Sequence, residues 1–548
     1  MYNPLDTAWI LIGSALIFFM QAGFCMLETG FTRAKNAGNI ALKNLSDAAI
    51  GSVAFLILGF GFMFGNGNGF IGGIDFWARN SGGAEGVPHA AFVIFEIVFC
   101  ATSATIVSGA MAGRTRFSAY CVFSLIMSLF IYPISGHWIW GGGWLSQLGF
   151  HDLAGGTAVH IVGGTAAFVG AKMVGARAGK YNSDGSSNGL YGQSLTFAVL
   201  GAMILWFSWF GFNGTSTLSL SSDEKLVEAA NIFLNTNTCA AAAAVTVLIV
   251  SRIRYGKTDI SMTINGTVGG LVASTAGADC MSTSGALITG ILAGALVIAS
   301  IEFIDHVLKT DDPVGAVSVH GVCGLLGTLM VGLFHRENGL FYGGGFSQLG
   351  IQFMGAVTVA VWAAVISFAA FWIIKHTIGL RVDKDAEIAG LDRSEHGIVN
   401  GGSLSSVYEF TGIDTDEKDV LEKIDRNKYT SDRKMRNVVI ITRENKLDEL
   451  KNALNQIGIS GFTVSPVLGC GIQRGHAAEF FRGSEANVSF IPKIRVEVVI
   501  SEVPLRLVLD TAREVLNTGN IGDGKIFVYS VDDVLRVRTN EEGPDARR

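Results

Sequence analysis

Two segments of the chain each place a histidine eight residues after an aspartate. HDLAGGTAVH (151–160) pairs Asp152 with His160, and DDPVGAVSVH (311–320) pairs Asp312 with His320. Both histidines lie in apolar, glycine-rich runs, where a polar side chain is costly to bury and usually faces a pathway. Neutral imidazoles each offer a donor and an acceptor and can pass a proton between them. Packing for each histidine, and helix capping for each aspartate, stay open as alternatives.

The composition is typical of an integral membrane protein. Of 548 residues, 49% are hydrophobic and only 16% charged, with 70 glycines and 36 phenylalanines, as expected for closely packed membrane helices. The apolar runs end near residue 375, and the sequence beyond it is richer in charged residues, as in soluble domains. Seven scattered cysteines without a CxxC pair are expected to be packing residues rather than metal ligands. The formal net charge of −6 says little about partners, and no nucleic-acid partner is expected.

The apolar runs predict eleven membrane spans of ~20 residues each. Their centres lie near residues 18, 57, 101, 128, 165, 203, 240, 269, 293, 325 and 362. Loops rich in Lys and Arg, such as AGRTRF and SRIRYGK, follow the odd-numbered spans. The positive-inside rule therefore predicts a multi-pass protein of the cytoplasmic (inner) membrane, with its N-terminus outside and its tail in the cytoplasm.

The two histidines are expected at one depth in this arrangement. His160 lies in the fifth span and His320 in the tenth, which cross in opposite directions. Asp152 is predicted as a helix N-cap, and Asp312-Pro313 as a cap with proline at the first helical position. Eight helical residues of ~1.5 Å would place each histidine ~12 Å into its helix, near the bilayer middle. Five spans followed by five indicate an inverted repeat, whose interface is where transporters place their sites.

Five long segments resemble, in order and spacing, the signatures of the Amt/Mep/Rh ammonium transporters. They are FMQAGFCMLETGFTRAKNAGNIALKN, GAMAGRTRFSAY, WGGGWLSQLGFHDLAGGTAVH, WFGFNGTS and DDPVGAVSVHGVCG. The resemblance runs from about residue 5 to 397. It implies a transporter rather than an enzyme, with ammonium as substrate, no cofactor for transport, and a homotrimer in the lipid membrane with one pore per subunit. The implied roles are substrate recruitment at Trp140, Ser216, Phe99 and Asp152, a pore gate of Phe99 and Phe212, and a pore lined by His160 and His320.

The chemistry of these residue types agrees with those roles. Trp140 lies in the outer loop segment WIWGGGW, where an indole face could hold a cation with ~0.5–2 kcal/mol. An interfacial belt position remains the alternative for it. Phenylalanines at a constriction exclude water, so an ammonium ion meets a large desolvation cost that neutral ammonia does not. Potassium has no proton to give up and is expected to be rejected.

The tail forms a second part of the chain. GLRVDKDAEIAGLDRSEHG resembles the transporters' cytoplasmic C-terminal region, which contacts the inner loops, and a polar linker follows. From Met435 the pattern of strands and amphipathic helices has the βαβ–βαβ order of a ferredoxin-like double repeat. The predicted domains are therefore 1–397, a linker 398–434 and 435–548. The predicted fold class is an all-α polytopic membrane protein of eleven helices, five plus five plus one, with a C-terminal α+β domain.

This C-terminal domain resembles the PII nitrogen-signalling proteins. The matching motifs are GCGIQRGH, FFRG, FIPKIRVEVV, TGNIGDGKIFV and VLRVRTNEEG, over roughly 435–545. The resemblance implies trimers that bind ATP or ADP between subunits, add 2-oxoglutarate through a magnesium ion, and dock a T-loop on ammonium transporters. The implied nucleotide-site residues are Gly469, Gly471, Gln473, Lys493, Glu497, Gly522, Asp523, Gly524, Lys525, Arg536 and Arg538.

Three positions of the PII-like domain have further implied roles. Gln473 and Lys493 are expected to contact 2-oxoglutarate, and Gln473 is the implied metal ligand. Arg482, in FFRG, matches the arginine that plugs the transporter's inner mouth. The T-loop, about 472–491, departs from the family, because Ala486 stands at the place of the uridylylated tyrosine and the loop contains no tyrosine. Because of the missing tyrosine, control by uridylylation is expected to be lost. Ile472 replaces a basic residue common beside the glutamine, which is expected to weaken anchoring of the phosphate or of the loop.

Three functions are compatible with parts of the sequence. The leading one is ammonium transport regulated by a fused PII-like domain that senses ATP, ADP and 2-oxoglutarate. The alternative is an ammonium sensor whose pore occupancy is signalled through that domain with little flux. A membrane ATPase is disfavoured, because the chain has no GxxxxGK[ST] motif and GDGK lacks its spacing.

Overall fold

The structure, a computed structural model, describes residues 1–398, 434–459, 461–469, 479–481, 484–486, 491–519, 522–538 and 540–543. The chain divides into two compact units. The first consists of Met1–Tyr181 and Gly185–Glu387, and the second of Asn182–Asp184 and Ile388–Arg548. The predicted linker falls almost entirely outside the described residues, as do Gly471, Gln473 and Arg482.

The first unit is helical. Ten helices among the described residues are long and apolar enough to cross a membrane: Pro4–Phe31, Ala34–Phe64, His89–Ala110, Phe117–Gln147, Gly156–Val174, Leu195–Thr217, Asp223–Tyr255, Thr283–Val307, Val317–Phe334 and Ser347–Thr377. The span predicted near residue 269 corresponds to the buried helix Ile260–Thr275, which has only 16 residues. The helical membrane fold is confirmed, and the count of eleven spans stays a prediction. Short helices lie at Leu340–Tyr342 in the first unit, at Lys384–Ala389 where the first unit ends, and at Leu391–His396 in the second unit.

Local capping explains where several of these helices begin. The side chain of Asn3 accepts hydrogen bonds from the backbone of Leu5 and Asp6, and Pro4 occupies the first helical position. Ser222 and Asp259 cap the helices that follow them in the same way. Because the first N–H groups of a helix lack partners within it, these side chains set the start of each span.

The two histidine-bearing helices begin later than the sequence predicts. Their first turns are π-helical, Gly156–Ile161 and Val317–Val322, and each is preceded by a glycine with positive φ: Gly155 at 99° and Gly315 at 81°. The prediction of proline at the first helical position was therefore wrong for Pro313. The prediction of histidines ~12 Å into their helices was also wrong, because the residues before each glycine form a loop.

A glycine contact brings these two helices together. A Cβ atom on Gly164 would lie 2.2 Å from the backbone nitrogen of Gly321, closer than any real contact. Only the absence of a side chain at Gly164 allows the backbones to approach so far, as in other small-residue helix contacts, whereas a Cβ atom on Gly321 would make ordinary contacts of 3.4 Å or more. Near it, the hydroxyls of Thr157 and Thr328 are 2.7 Å apart. The segments carrying His160 and His320 therefore lie side by side.

The end of the first unit packs against loops that the sequence predicts to be cytoplasmic. Arg381 forms an isolated antiparallel bridge with Thr115, and its guanidinium donates to the carbonyl of Val174 at 3.0 Å. The carboxylate of Glu387 accepts from Arg381 at 2.7 Å and from the backbone of Ala178 at 2.7 Å. This segment thus joins two of the loops that are predicted to be cytoplasmic through backbone and charged contacts.

The second unit contains a four-stranded antiparallel sheet. The strands of the domain are β1 Arg436–Thr442, β2 Thr463–Gly469, β3 Glu479–Phe481, β4 Ser484–Ala486, β5 Ile491–Ile500, β6 Lys525–Ser530, β7 Leu535–Arg536 and β8 Glu541–Glu542. The main sheet has the order β2-β5-β1-β6, while β3 pairs with β4 and β7 with β8. Helices Leu447–Gln456 and Leu505–Leu516 bury their apolar faces with this sheet in one core. The predicted α+β fold is confirmed.

Candidate functional site

His160 and His320 are in direct contact in the interior of the first unit. Their Nδ1 atoms are 3.1 Å apart, and both residues are almost completely buried, at 0% and 4% exposure. A contact between two ring nitrogens requires one donor and one acceptor, so the two neutral rings share a single proton at this point. Within the part of the chain that the structure describes, Nε2 of His160 has no hydrogen-bond partner.

Aromatic rings hold this pair in place. His160 stacks on Trp209, with ring centroids 5.3 Å apart, and the indole N–H of Trp209 donates to Thr275 at 3.0 Å. On the other side, the ring of Phe24 lies 5.8 Å from that of His320. The imidazoles therefore sit among apolar faces that offer no competing hydrogen bonds.

Two stacked phenylalanines lie next to the histidines. The rings of Phe99 and Phe212 have centroids 4.4 Å apart and an interplanar angle of 27°. Phe212 contacts His160 at 5.7 Å, and Phe99 contacts Trp140 edge-to-face at 6.0 Å. Both phenylalanines are almost fully buried, at 2% and 0% exposure. They close the direct route from Trp140 to the histidines, in the position that the sequence predicts for a gate.

A cavity of 380 Å³ opens on the other side of this aromatic pair. Trp140, Phe99 and Ser216 all line it, so the structure brings these predicted recruitment residues together. The hydroxyl of Ser216 donates to the carbonyl of Phe212 at 2.9 Å, which leaves its oxygen able to accept from a ligand. The cavity thus offers an indole, a hydroxyl and a ring of apolar side chains to a small cation.

Asp152 lies beside the cavity and organises its wall rather than lining it. Oδ1 accepts from the backbone of Gly155 at 3.0 Å, and Oδ2 accepts from Thr157 and Ala158, each at 2.9 Å. Its carbonyl accepts the indole N–H of Trp140 at 2.7 Å. The carboxylate therefore caps the first turn of the helix that carries His160 and orients Trp140. Asp312 makes the corresponding bonds to Gly315 and Val317.

Sequence reasoning missed Glu96, which also lines the 380 Å³ cavity. Glu96 is 6% exposed, and its Oε2 atom has no hydrogen-bond partner among the described residues. The signal was available, because a carboxylate inside the apolar run FVIFEIVFC marks a functional position by default.

A narrow cavity of 20 Å³ lies on the far side of His320. Its lining is mainly apolar, with Glu28 and Asn265 as the polar exceptions. This volume holds about one water molecule. The histidine pair therefore stands between a wide cavity on the Trp140 side and a narrow one on the far side of His320.

Comparisons with known proteins place this arrangement in a family. The sequence model of the Ammonium Transporter Family matches residues 8–400. The chain belongs to the ammonium transporter family. Ammonium transporter Amt2 of Archaeoglobus fulgidus is 42% identical over 419 residues, covering 72% of this chain and 88% of that protein. Ammonium transporter 3 of Dictyostelium discoideum is 36% identical over 408 residues, covering 72% and 93%.

Solved structures agree with this assignment. A protein described as a sensor Amt protein is 39% identical, with a TM-score of 0.67, and the match covers 72% of this transporter and 98% of that chain. Candida albicans Mep2 is 27% identical, with a TM-score of 0.65, and the match covers 70% and 87%. The transporter is therefore a helical membrane protein and not an enzyme.

The transporter also carries a PII domain. The sequence model of the Nitrogen regulatory protein P-II matches residues 435–541. In this domain the loop Gly522–Lys525 follows helix Leu505–Leu516 and leads into β6. Gly522 and Gly524 have φ values of 109° and 118°, and a Cβ atom on Gly524 would lie 2.1 Å from the carbonyl oxygen of Ile441. Glycine is therefore required for the close approach of this loop to β1.

Positively charged side chains lie around this loop. Lys493 donates to the carbonyl of Gly522 at 3.2 Å, and Arg443 lies 3.4 Å from the carboxylate of Asp523. Burial lowers the pKa of Lys493, and the nearby charges of Arg443 and Lys525 lower it further, against the opposing effect of Asp523. An excess of positive charge beside glycine backbone is the environment that phosphates prefer. Sequence reasoning missed Arg443, which stands just after β1.

The remaining predicted nucleotide-site residues that the structure describes end strands or form ion pairs with other residues. Gly469 ends β2, and Glu497 forms an ion pair with Arg495 at 2.5 Å. Arg536 pairs with Glu541 at 2.8 Å, and Arg538 follows β7. The roles of these residues, and those of Gly471, Gln473 and Arg482, stay predictions.

Proposed function

We propose that the protein conducts ammonium across the cytoplasmic membrane through a pore lined by His160 and His320. The observation that carries this proposal is the unpartnered Nε2 of His160, fully buried in a contact between two imidazoles. A buried polar atom without a partner is costly unless a ligand or water satisfies it. We further propose a homotrimer with its N-termini outside, its PII domains in the cytoplasm, and domain boundaries of 1–397, 398–434 and 435–548.

The geometry supports a sequence of steps from the outer cavity inwards. An ammonium ion is held in the cavity by the indole of Trp140, the oxygen of Ser216 and the carboxylate of Glu96. The stacked rings of Phe99 and Phe212 provide no replacement for its hydration shell, so the charged ion has a high barrier there. Ammonia, which remains once the ammonium ion has released its proton to water in the cavity, passes with a much lower barrier.

The histidine pair then supplies hydrogen bonds in a dry environment. When the facing Nδ1 atoms share one proton, one Nε2 is an acceptor and the other is a donor. Ammonia, which both donates and accepts, fits either position. The same pair can pass the proton separately, so the proposed net movement is electrogenic. Potassium lacks this route.

Uptake measured with the purified full-length protein in liposomes tests this proposal. With an inward ammonium gradient, the internal pH of liposomes that contain the protein, or the charge carried across their membrane, is expected to change much faster than in empty liposomes. Flux at the level of empty liposomes would reject transport and favour the second function below.

Removing the charge of Glu96 is expected to weaken recruitment. Glu96→Gln keeps the size of the side chain but cannot form an ion pair with ammonium. Because a hydrogen bond to a charged group contributes about 1.5–3 kcal/mol, we expect the apparent KM for ammonium to rise roughly tenfold with little change in maximal flux. The matched control is Glu224→Gln, at an exposed position. An unchanged KM would show that Glu96 takes no part in recruitment.

Substitutions of Asp152 are expected to differ in severity. Asp152→Ala removes all three acceptor contacts and is expected to reduce both flux and thermal stability strongly, at about 1–3 kcal/mol for each buried donor left unpaired. Asp152→Asn can keep the bonds to Thr157 and Ala158 but turns its amide group towards the N–H of Gly155, so an intermediate effect is expected. Flux and melting temperature of both variants measure this. Asn being as inactive as Ala would mean that the charge itself is needed.

For the PII domain we propose binding of ATP or ADP, with magnesium and 2-oxoglutarate. Support comes from the glycines of Gly522–Lys525 and from the cations Lys493, Lys525 and Arg443 around them. Lys525→Gln is expected to weaken nucleotide binding, and calorimetry with the full-length protein measures it.

An ammonium sensor with little flux is the second candidate function. The observation that favours it is the 39% identity to a solved protein described as a sensor Amt protein. In that case ammonium occupancy of the pore would be reported through the PII domain. The liposome measurement separates the two functions, because a sensor requires binding but no sustained flux.

A further inference from the structure

Three side chains with different donor atoms meet outside the proposed pore. Nε2 of His151 lies 3.1 Å from Oδ1 of Asp279. One ring nitrogen of His151, one carboxylate oxygen of Asp279 and Sγ of Cys280 all lie within 4.8 Å of one another. Tetrahedral zinc sites, with bonds of about 2.0–2.3 Å, place their ligand atoms roughly 3.3–3.7 Å apart. Only a small closure of the three side chains is needed to reach that spacing.

We propose that His151, Asp279 and Cys280 bind a divalent transition metal ion, for which Zn²⁺ is the best match. Imidazole, carboxylate and thiolate together are typical zinc ligands, whereas Ca²⁺ and Mg²⁺ prefer sites made of oxygen alone. Water completes the fourth position. The ring of His335 packs edge-on against that of His151 at 5.6 Å, but its Nδ1 accepts from the backbone of Glu337 and Asn338. It therefore walls the site rather than supplying a ligand.

The backbone around the three ligands is held by a second layer of contacts. The side chain of Gln352 accepts from the N–H of His151 at 2.9 Å and donates to its carbonyl at 2.7 Å. Arg336 donates to the carbonyl of Asp279 at 2.8 Å and to that of Cys280 at 3.4 Å. Such outer contacts orient metal ligands and strengthen metal binding. The charge of Arg336 opposes a cation, but its guanidinium is directed at the carbonyls.

An ion can reach the site from solvent. The side chains of His151 and Asp279 are 30% and 16% exposed, while Cys280 forms the buried wall at 8%. The alternative is a purely structural role, in which His151 and Asp279 only connect two loops by a hydrogen bond. That alternative gives the Cys280 thiol no part, and this difference makes the proposal testable.

Cobalt titration of the purified full-length protein tests the site directly, because Co²⁺ occupies tetrahedral zinc sites and reports its ligands in its absorption spectrum. We expect one Co²⁺ per chain, a thiolate-to-cobalt charge-transfer band, displacement by Zn²⁺, and a rise in melting temperature with either metal. Cys280→Ser is expected to abolish the band and to weaken metal binding by more than about tenfold. Changes in the outer contacts of a metal site already weaken binding by about tenfold or more, and the loss of a direct ligand is expected to exceed that.

Two controls make the test specific. Cys121→Ser alters a half-buried thiol elsewhere in the first unit, and Cys470→Ser removes the cysteine of the PII domain sequence; both are expected to keep the band. His151→Gln is expected to lose binding in the same way as Cys280→Ser. Absence of the band in the wild type, or its persistence in Cys280→Ser, would overturn the proposal. Ammonium flux has no part in this readout, so its outcome is independent of the proposed transport function.

Discussion

Alanine at either His160 or His320 is expected to lower ammonium-specific flux by roughly 100-fold. Each substitution removes the partner of a buried Nδ1 atom and one of the two polar contacts that the narrow path offers. A lost hydrogen bond in a dry environment costs about 1–3 kcal/mol, and about 1.4 kcal/mol corresponds to a factor of ten. Each substitution removes one hydrogen bond to the solute and also interrupts the proton relay. A loss of about tenfold for each effect gives the expected 100-fold decrease in flux. Stopped-flow pH measurements on liposomes give the flux.

The control for these variants is His376→Ala, which removes an exposed imidazole near the end of helix Ser347–Thr377. We expect it to keep wild-type flux. Melting temperatures of all three variants separate a lost pore from a lost fold. Ammonium-specific flux within about threefold of wild type in a folded His160→Ala protein would remove the histidine pair from the conduction path.

Ligands of the fused PII domain are expected to switch flux between near wild-type and near background levels. The sequence resemblance places Arg482 where a T-loop arginine plugs an inner pore mouth. A short flexible tether raises the local concentration of such a loop into the ~mM range, so even a weak plug is effective. A guanidinium at the mouth blocks by its size and by repelling cations. Flux of the full-length protein with ADP, ATP and 2-oxoglutarate is the measurement.

Three forms of the chain separate direct plugging from indirect signalling. Wild type is expected to respond to ligands, whereas Arg482→Ala and a truncation after Gly397 are expected to conduct constantly. Arg538→Ala, which removes a predicted nucleotide contact, is expected to lose the response while keeping the arginine of the loop. If Arg482→Ala responded to ligands as wild type does, plugging would have to be replaced by signalling through the segment around Arg381 that joins the inner loops.

The apolar runs and the alternation of basic loops were sufficient to predict the helical membrane fold, because hydropathy over 20 residues is a local property. The α+β fold of the C-terminal domain was predictable for a similar reason. Its helices show a clear apolar face, as in Leu505–Leu516, and its strands are short apolar runs.

The start of the histidine-bearing helices was not predictable from spacing. Asp152 and Asp312 resemble N-caps in sequence, but the chain turns at the left-handed Gly155 and Gly315 before either helix begins. The π-helical turns that follow depend on packing between the two segments, around Gly164 and Gly321. Such a break is a tertiary effect, and periodicity alone favours a continuous helix.

The cluster of His151, Asp279 and Cys280 was hidden for a different reason. His151 and Asp279 are 128 residues apart in the chain, so no local motif connects them. The expectation that all cysteines only pack inside the protein rested on the absence of a CxxC pair, and this pattern says nothing about ligands contributed by separate loops. Glu96, in contrast, was recognisable from the sequence, because it is a carboxylate within an apolar run.

The most direct test of the central claim compares ammonium and potassium currents through the purified full-length protein in liposomes on a solid-supported membrane. The stacked rings of Phe99 and Phe212 lie almost fully buried beside the histidine pair, so a hydrated ion would have to lose its water shell to pass them. For an ammonium-selective pore we expect a large current with an ammonium gradient, and a potassium current no greater than that of empty liposomes. Equal currents for the two cations would contradict it.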